Sequence, residues 1–97
     1  MHAVVNKLTL AKPIDDALLA KLKTFYQGLR DEPEVVDSMI VSVSDTEAIA
    51  IALFHTREGM DRFSREVAAP WFAENVRPYL GGPVSRVVGE VVASVRG

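Results

Sequence analysis

The stretch Ala48–Phe54, AIAIALF, decides the fold. Side chains along a strand point alternately to two faces. Here Ala48, Ala50, Ala52 and Phe54 are apolar on one side, and Ile49, Ile51 and Leu53 are apolar on the other. Such a strand needs two covers, whereas an antiparallel sheet commonly leaves one face to water. The chain has 97 residues, enough for one domain, and a chain this short removes only roughly 60 to 65% of its unfolded surface from water. Helices of the same chain can cover one sheet face. A second copy of the chain is the economical cover for the other, so the expectation is a homodimer joined through the sheet face.

Reading outward, Ser44–Glu47 is a turn, and Met39–Ser44 before it alternates Met39, Val41, Val43 against Ile40, Ser42, Ser44, which predicts an antiparallel neighbour. Glu34–Ser38 reads as a connection. Further upstream, Ala3–Leu10 alternates as a first strand. Ile14, Leu18, Leu22, Phe25 and Leu29 then form the apolar stripe of a helix that opens near Pro13 with Asp15 and Asp16 in its first turn, and Gly28, Glu32 and Pro33 mark its end. Downstream, Thr56 is an N-cap for a second helix with a stripe of Met60, Phe63, Val67, then Trp71 or Phe72, with Val76 and Tyr79 beyond. Pro70 removes a helical hydrogen bond and disfavours helical backbone at Ala69. A break or kink is expected there, with a second helical piece from Pro70 to about Val76 and an end at Pro78, Gly81, Gly82 and Pro83. Val84–Val95 reads as a final strand. The order strand, helix, strand, strand, helix, strand predicts an α+β, ferredoxin-like βαββαβ fold. It is a four-stranded antiparallel sheet with two helices on one face.

Composition narrows the function classes. Eleven basic and thirteen acidic side chains give a net charge of −2, with no dense basic cluster, so nucleic acid is not an expected partner. No cysteine is present, which excludes disulfides, thiolate chemistry and Cys-ligated zinc. Asn6 and Lys7 interrupt the apolar start, which therefore does not read as a signal peptide. No apolar run approaches the roughly 20 residues that span a bilayer. The expected location is cytoplasmic, with no membrane partner. No carboxylate and histidine cluster has metal-ligand spacing, no Gly-rich loop follows a strand and no nucleophile motif is present, so neither a cofactor nor a metal is expected.

Within Ala50–Val84, AIALFHTREGMDRFSREVAAPWFAENVRPYLGGPV, a strand gives way to a helix with a phenylalanine about two turns in. A proline and aromatics interrupt that helix, and a second piece runs to a Pro-x-Leu ending. In this pattern, and in element order over nearly the whole chain, the sequence resembles the antibiotic biosynthesis monooxygenase (ABM) family of the dimeric α/β barrel superfamily. The stress-responsive barrel family is a near alternative, but its His-Pro-x-His signature is absent from the second helix. The resemblance implies a single ABM-like domain over 1–97. It also implies a pocket between helices and sheet, and for some members a cofactor-independent oxygenase activity on polycyclic phenols. Relatives that degrade haem use a histidine of the second helix, and Phe72–Leu80, FAENVRPYL, holds none.

The candidate site residues each carry two readings. Asn6 shares a strand face with Val4, Leu8 and Leu10, so it is a polar group on an apolar side that demands a partner. It is either an amide bonded at a sheet or dimer edge, or a pocket amide that polarises a phenolic oxygen. His55 closes the third strand in phase with Ile49, Ile51 and Leu53; it is either a water-facing strand end or a general base. Trp71 either packs or closes the pocket, and Phe25, Phe63 and Phe72 either fill the core or line a substrate pocket; Tyr26 and Tyr79 fit the same helix faces. The run Glu58, Asp61, Arg62, Arg65, Glu66 reads as a solvated helix face, and Arg86 either lies on the surface or meets a carboxylate across the dimer. The resemblance supports a monooxygenase acting on a small aromatic or polyketide-like substrate, with Asn6 and His55 as catalytic groups. The alternative is a non-catalytic dimeric module that binds a small hydrophobic ligand.

Overall fold

The first strand pairs on both edges, and this sets the whole architecture. In the computed structural model, which describes residues 1–97, β1 (His2–Thr9) lies between β3 (Glu47–Phe54) and β4 (Ser85–Glu90), antiparallel to each. β2 (Val35–Ser44) flanks β3, giving a four-stranded sheet in the order β2-β3-β1-β4. Helix α1 (Asp16–Gly28) and the helical run of α2 (Arg57–Phe63) and α3 (Ala69–Asn75) cover one face. This is the ferredoxin-like arrangement read from the sequence.

Several boundaries move for identifiable reasons. Helix α1 begins after Pro13: Asp15 is the N-cap, its carboxylate accepting the Leu18 N–H at 2.9 Å. β2 starts at Val35 because a bulge between Val35 and Asp37 inserts a residue, which hides the alternation that would have announced the strand. β4 stops at Glu90, which sits opposite His2, and the next amide, Val91 N–H, donates to Met1 C=O. Beyond it Val92 and Val95 are exposed at 91% and 105%, where the sequence had predicted continuing strand.

Pro70 neither breaks nor sharply ends the second helix. Ser64–Ala68 is a single π turn, closed by Ala69 N–H donating to Ser64 C=O five residues back, and Pro70 occupies the first positions of α3. A proline ring inside an α-helix collides with the carbonyl four residues before it. The wider π turn relieves that collision while keeping the chain helical.

Only 13 residues are buried, so the core is small, and it falls into two clusters. One gathers Leu8, Leu10, Leu18, Leu22, Ala48 and Val76; the other gathers Val4, Leu29, Phe54, Met60 and Phe63. On the opposite sheet face Ile49, Ile51 and Leu53 are half-buried, while Met39, Val43 and Val87 are exposed at 42%, 52% and 61%. The two-sided apolar pattern of β3 is therefore real: its alanines and Phe54 meet helices, and its isoleucines and Leu53 lie on the uncovered face.

Candidate functional site

Asn6 marks the seam between the two core clusters. It lies on β1 midway between Val4 of one cluster and Leu8 of the other, on the helix-facing side of the sheet. Its strand neighbours are Ala50 on β3 and Arg86 on β4. The π turn contributes Ser64 and Ala68 to the same place, and none of its residues is buried. A small residue beneath and an expanded helical turn above leave the seam unfilled.

Two adjoining hollows result. The larger, about 320 Å³, is lined by Asn6, Leu8, Phe72, Val76, Leu80 and Val84, by small residues of the helical run, and by Arg77 and Arg86. The smaller, about 50 Å³, extends toward Phe25, Leu29, Phe54 and Phe63 and holds the Tyr26 and Ser38 hydroxyls near its wall. Asn6, Ser64, Ala68 and Phe72 line both. The loop after α3 closes one end of the larger hollow. Ala11 N–H donates to Tyr79 C=O and Gly81 N–H to Thr9 C=O, each at 2.8 Å. Gly81 is required there, since a Cβ would lie 2.9 Å from the Ala11 nitrogen.

The polar groups of the site are free to serve a ligand. No hydrogen bond within the chain engages the side chain of Asn6, Ser64, Arg77 or Arg86. No carboxylate lines the larger hollow. Burial pushes the Tyr26 phenol up to about 12, the Ser38 hydroxyl opposing only in part, so Tyr26 is a neutral hydroxyl at all physiological pH. No group of three or more His, Asp or Glu side chains is placed to hold a metal ion.

The sequence-derived candidates divide. Asn6 and Phe72 meet in the larger hollow, and Phe25 and Phe63 join them at the smaller one. His55 does not: it occupies the bend after β3, exposed, its backbone N–H donating to Glu34 C=O, and it lines neither hollow. Continuing the alternation of β3 would put its ring on the open face with Ile49, Ile51 and Leu53, away from the helices. Trp71 also lies outside. It stacks on Phe25 at 4.3 Å between centroids and lines a shallow surface depression with Ala20, Lys21 and Thr24, because helical rotation from Phe72 turns it toward α1. Tyr79 instead donates to the Asp15 carboxylate at 2.8 Å, tying the end of α3 to the start of α1. Arg62 grips Glu34 with two nitrogens, at 2.9 and 2.7 Å, and bonds Glu66, so the charged helix face is also a tether to the chain before β2.

No family model matches the chain, and no curated protein matches it in sequence. Solved structures do. A protein of Nitrosomonas europaea assigned to the antibiotic biosynthesis monooxygenases superposes with a TM-score of 0.79 at 14% identity, over 96% of this chain and 100% of that one. The chain has the ABM fold. SnoaB, a cofactor-independent oxygenase of Streptomyces nogalater, gives 0.72 at 14% identity over 99% and 97% of the two chains. The ActVA-Orf6 monooxygenase of Streptomyces coelicolor, in complex with nanaomycin D, gives 0.66 at 18% identity over 96% and 92%. At these identities the likeness is one of architecture.

Proposed function

We propose that the protein is a cofactor-independent monooxygenase for a small aromatic substrate, acting as a homodimer joined through the bare sheet face. The observation that carries this reading is the half-buried Asn6 amide, without a partner in the chain, in a largely apolar hollow. Its N–H is placed to donate to an oxyanion, and such a donor is worth most once a bound ligand has displaced the water around it. Structural neighbours that are oxygenases, one of them solved with nanaomycin D, support the same reading. The exposed apolar side chains of β2 and β4, with the half-buried Ile49, Ile51 and Leu53 between them, support the dimer.

The chemistry balances without a further redox partner. A phenol with a free para C–H loses its O–H proton, and the resulting anion, held by Asn6, is the electron source. One O₂ is consumed: one atom becomes the second carbonyl oxygen of a quinone, and the other leaves as water with the two hydrogens lost from O–H and C–H. The ring supplies four electrons and O₂ accepts four. With His55 outside the hollow, the phenolic proton passes to solvent through the open mouth.

One observation favours a second reading, a non-catalytic dimeric module that holds a small hydrophobic ligand. No His, Asp, Glu or Lys lines the larger hollow, so no ordinary general base is built in. Oxygen uptake with a panel of hydroxyarenes decides between them. The enzyme reading expects one O₂ per substrate oxidised, a rate lowered roughly 100-fold by Asn6→Ala, and no change in His55→Ala. Ligands that bind yet are recovered intact under air would establish the binding module instead.

A further inference from the structure

Arg77 and Arg86 are more than a neutral aromatic ligand needs. Arg86 stands on β4 beside Asn6, and Arg77 comes from the turn Arg77–Tyr79 after α3, so cations reach the larger hollow from its sheet wall and its helix wall. Neither forms an ion pair, whereas Arg62, Arg65 and Arg96 all do. Arg30 and Arg57 are also unpaired but line no hollow described here. In a chain whose net charge is −2, these two positive side chains flank a wall of Leu8, Phe72, Val76, Leu80 and Val84 without any acidic neighbour in that wall. Both arginines are exposed, and a bound anion gives each an opposite charge to pair with.

We infer that this hollow binds an aromatic carboxylate, its apolar body on the Phe72 wall and its carboxylate held by Arg77 and Arg86. The inference deepens the proposed function, since it assigns a second, permanently charged group to the ligand of that same site. Guanidinium forks match a carboxylate in shape and remain charged at any accessible pH. Asn6 is left for the other oxygen, the one at which charge develops. A volume of about 320 Å³ lies at the lower end of the range, roughly 300 to 1,000 Å³, of pockets that take drug-sized ligands. Neither Gly81 nor Gly82 of the loop after α3 lines the hollow to cradle a phosphate dianion, which favours the carboxylate.

Calorimetric titration of the intact protein with 2-naphthoate, methyl 2-naphthoate, 2-naphthol and 2-naphthyl phosphate tests this. The acid is expected to bind at least roughly tenfold tighter than its ester, as hydrogen bonds to charged groups warrant. Arg77→Gln and Arg86→Gln should each remove most of that preference. Arg86→Glu should turn the preference toward 2-naphthylmethylamine. Equal binding of acid and ester by the unaltered protein would overturn the inference with no variant needed, as would no binding of any probe, a stronger preference for the phosphate, or full acid affinity in the double Gln variant. Oxygen uptake with 1-hydroxy-2-naphthoate and 1-naphthol separates the two claims. A bound but unoxidised hydroxynaphthoate would end the oxygenase reading and leave the carboxylate site standing, whereas oxidation of both with equal KM would do the reverse.

Discussion

Asn6 is where function and stability pull apart. Asn6 is half-buried on a face it shares with buried Val4 and Leu8, so an apolar side chain there would extend the core where the amide serves a ligand. Asn6→Leu should therefore raise stability, by about 1 kcal/mol in urea unfolding, while abolishing turnover. A loss of stability would mean that the amide is satisfied in the folded protein and is structural. The residue was legible in the sequence because a period of two placed it among Val4, Leu8 and Leu10. Arg77 and Arg86 were not: each reaches the seam only through the β1–β4 register and the turn after α3, and neither breaks a local pattern. His55 stands exposed in the bend past β3, as the water-facing reading has it; the alternation that put it in phase with Ile49, Ile51 and Leu53 already aimed it away from the helix-covered face.

At the scale of elements, the ends of α1 and α3 are joined through one carboxylate. The Leu18 N–H and then the Tyr79 hydroxyl hold the Asp15 carboxyl below its ordinary value of 3.8, and the same bond raises the Tyr79 phenol. A depressed carboxylate stabilises the fold in full above its unfolded value and ceases to do so as the pH falls through the folded one. The melting temperature should thus decline more steeply below about pH 4 in the unaltered protein than in Asp15→Asn, and Tyr79→Phe should reduce the difference. The π turn makes a second prediction. Pro70→Ala removes the reason for the wide turn, so Ser64–Ala68 should relax to α geometry and narrow the hollow. Ligand affinity should drop without loss of melting temperature, and a crystal structure of the variant would show the regular turn. The proline announced an irregularity at this point of the sequence, but propensity alone does not distinguish a π turn from a kink.

For the molecule as a whole, the two faces of β3 give different readouts to the same chemical change. Ile51→Asp puts a charge on the open face and should lower the mass observed by native mass spectrometry from dimer to monomer. Ala50→Asp puts it under the helices and should unfold the protein instead, since an unpaired buried carboxylate is among the few changes that cost more than about 4 kcal/mol. A folded dimer in both variants would remove the case for the sheet-face assembly. The architecture itself was readable because seven consecutive apolar residues in so short a chain admit few arrangements.

The seam between the two core clusters has one more consequence. Leu22 and Phe63 belong to separate clusters that share the sheet, so the bridge between them at Asn6 is thinly packed. A molecule seated there completes the packing, and by mass action its binding energy becomes folding energy. At a hundred times its dissociation constant a ligand adds about 2.7 kcal/mol to unfolding. For a protein of this size that is a shift of roughly 10 °C or more in melting temperature. A thermal scan of a metabolite library would accordingly report occupancy of the seam directly, before any reaction is known.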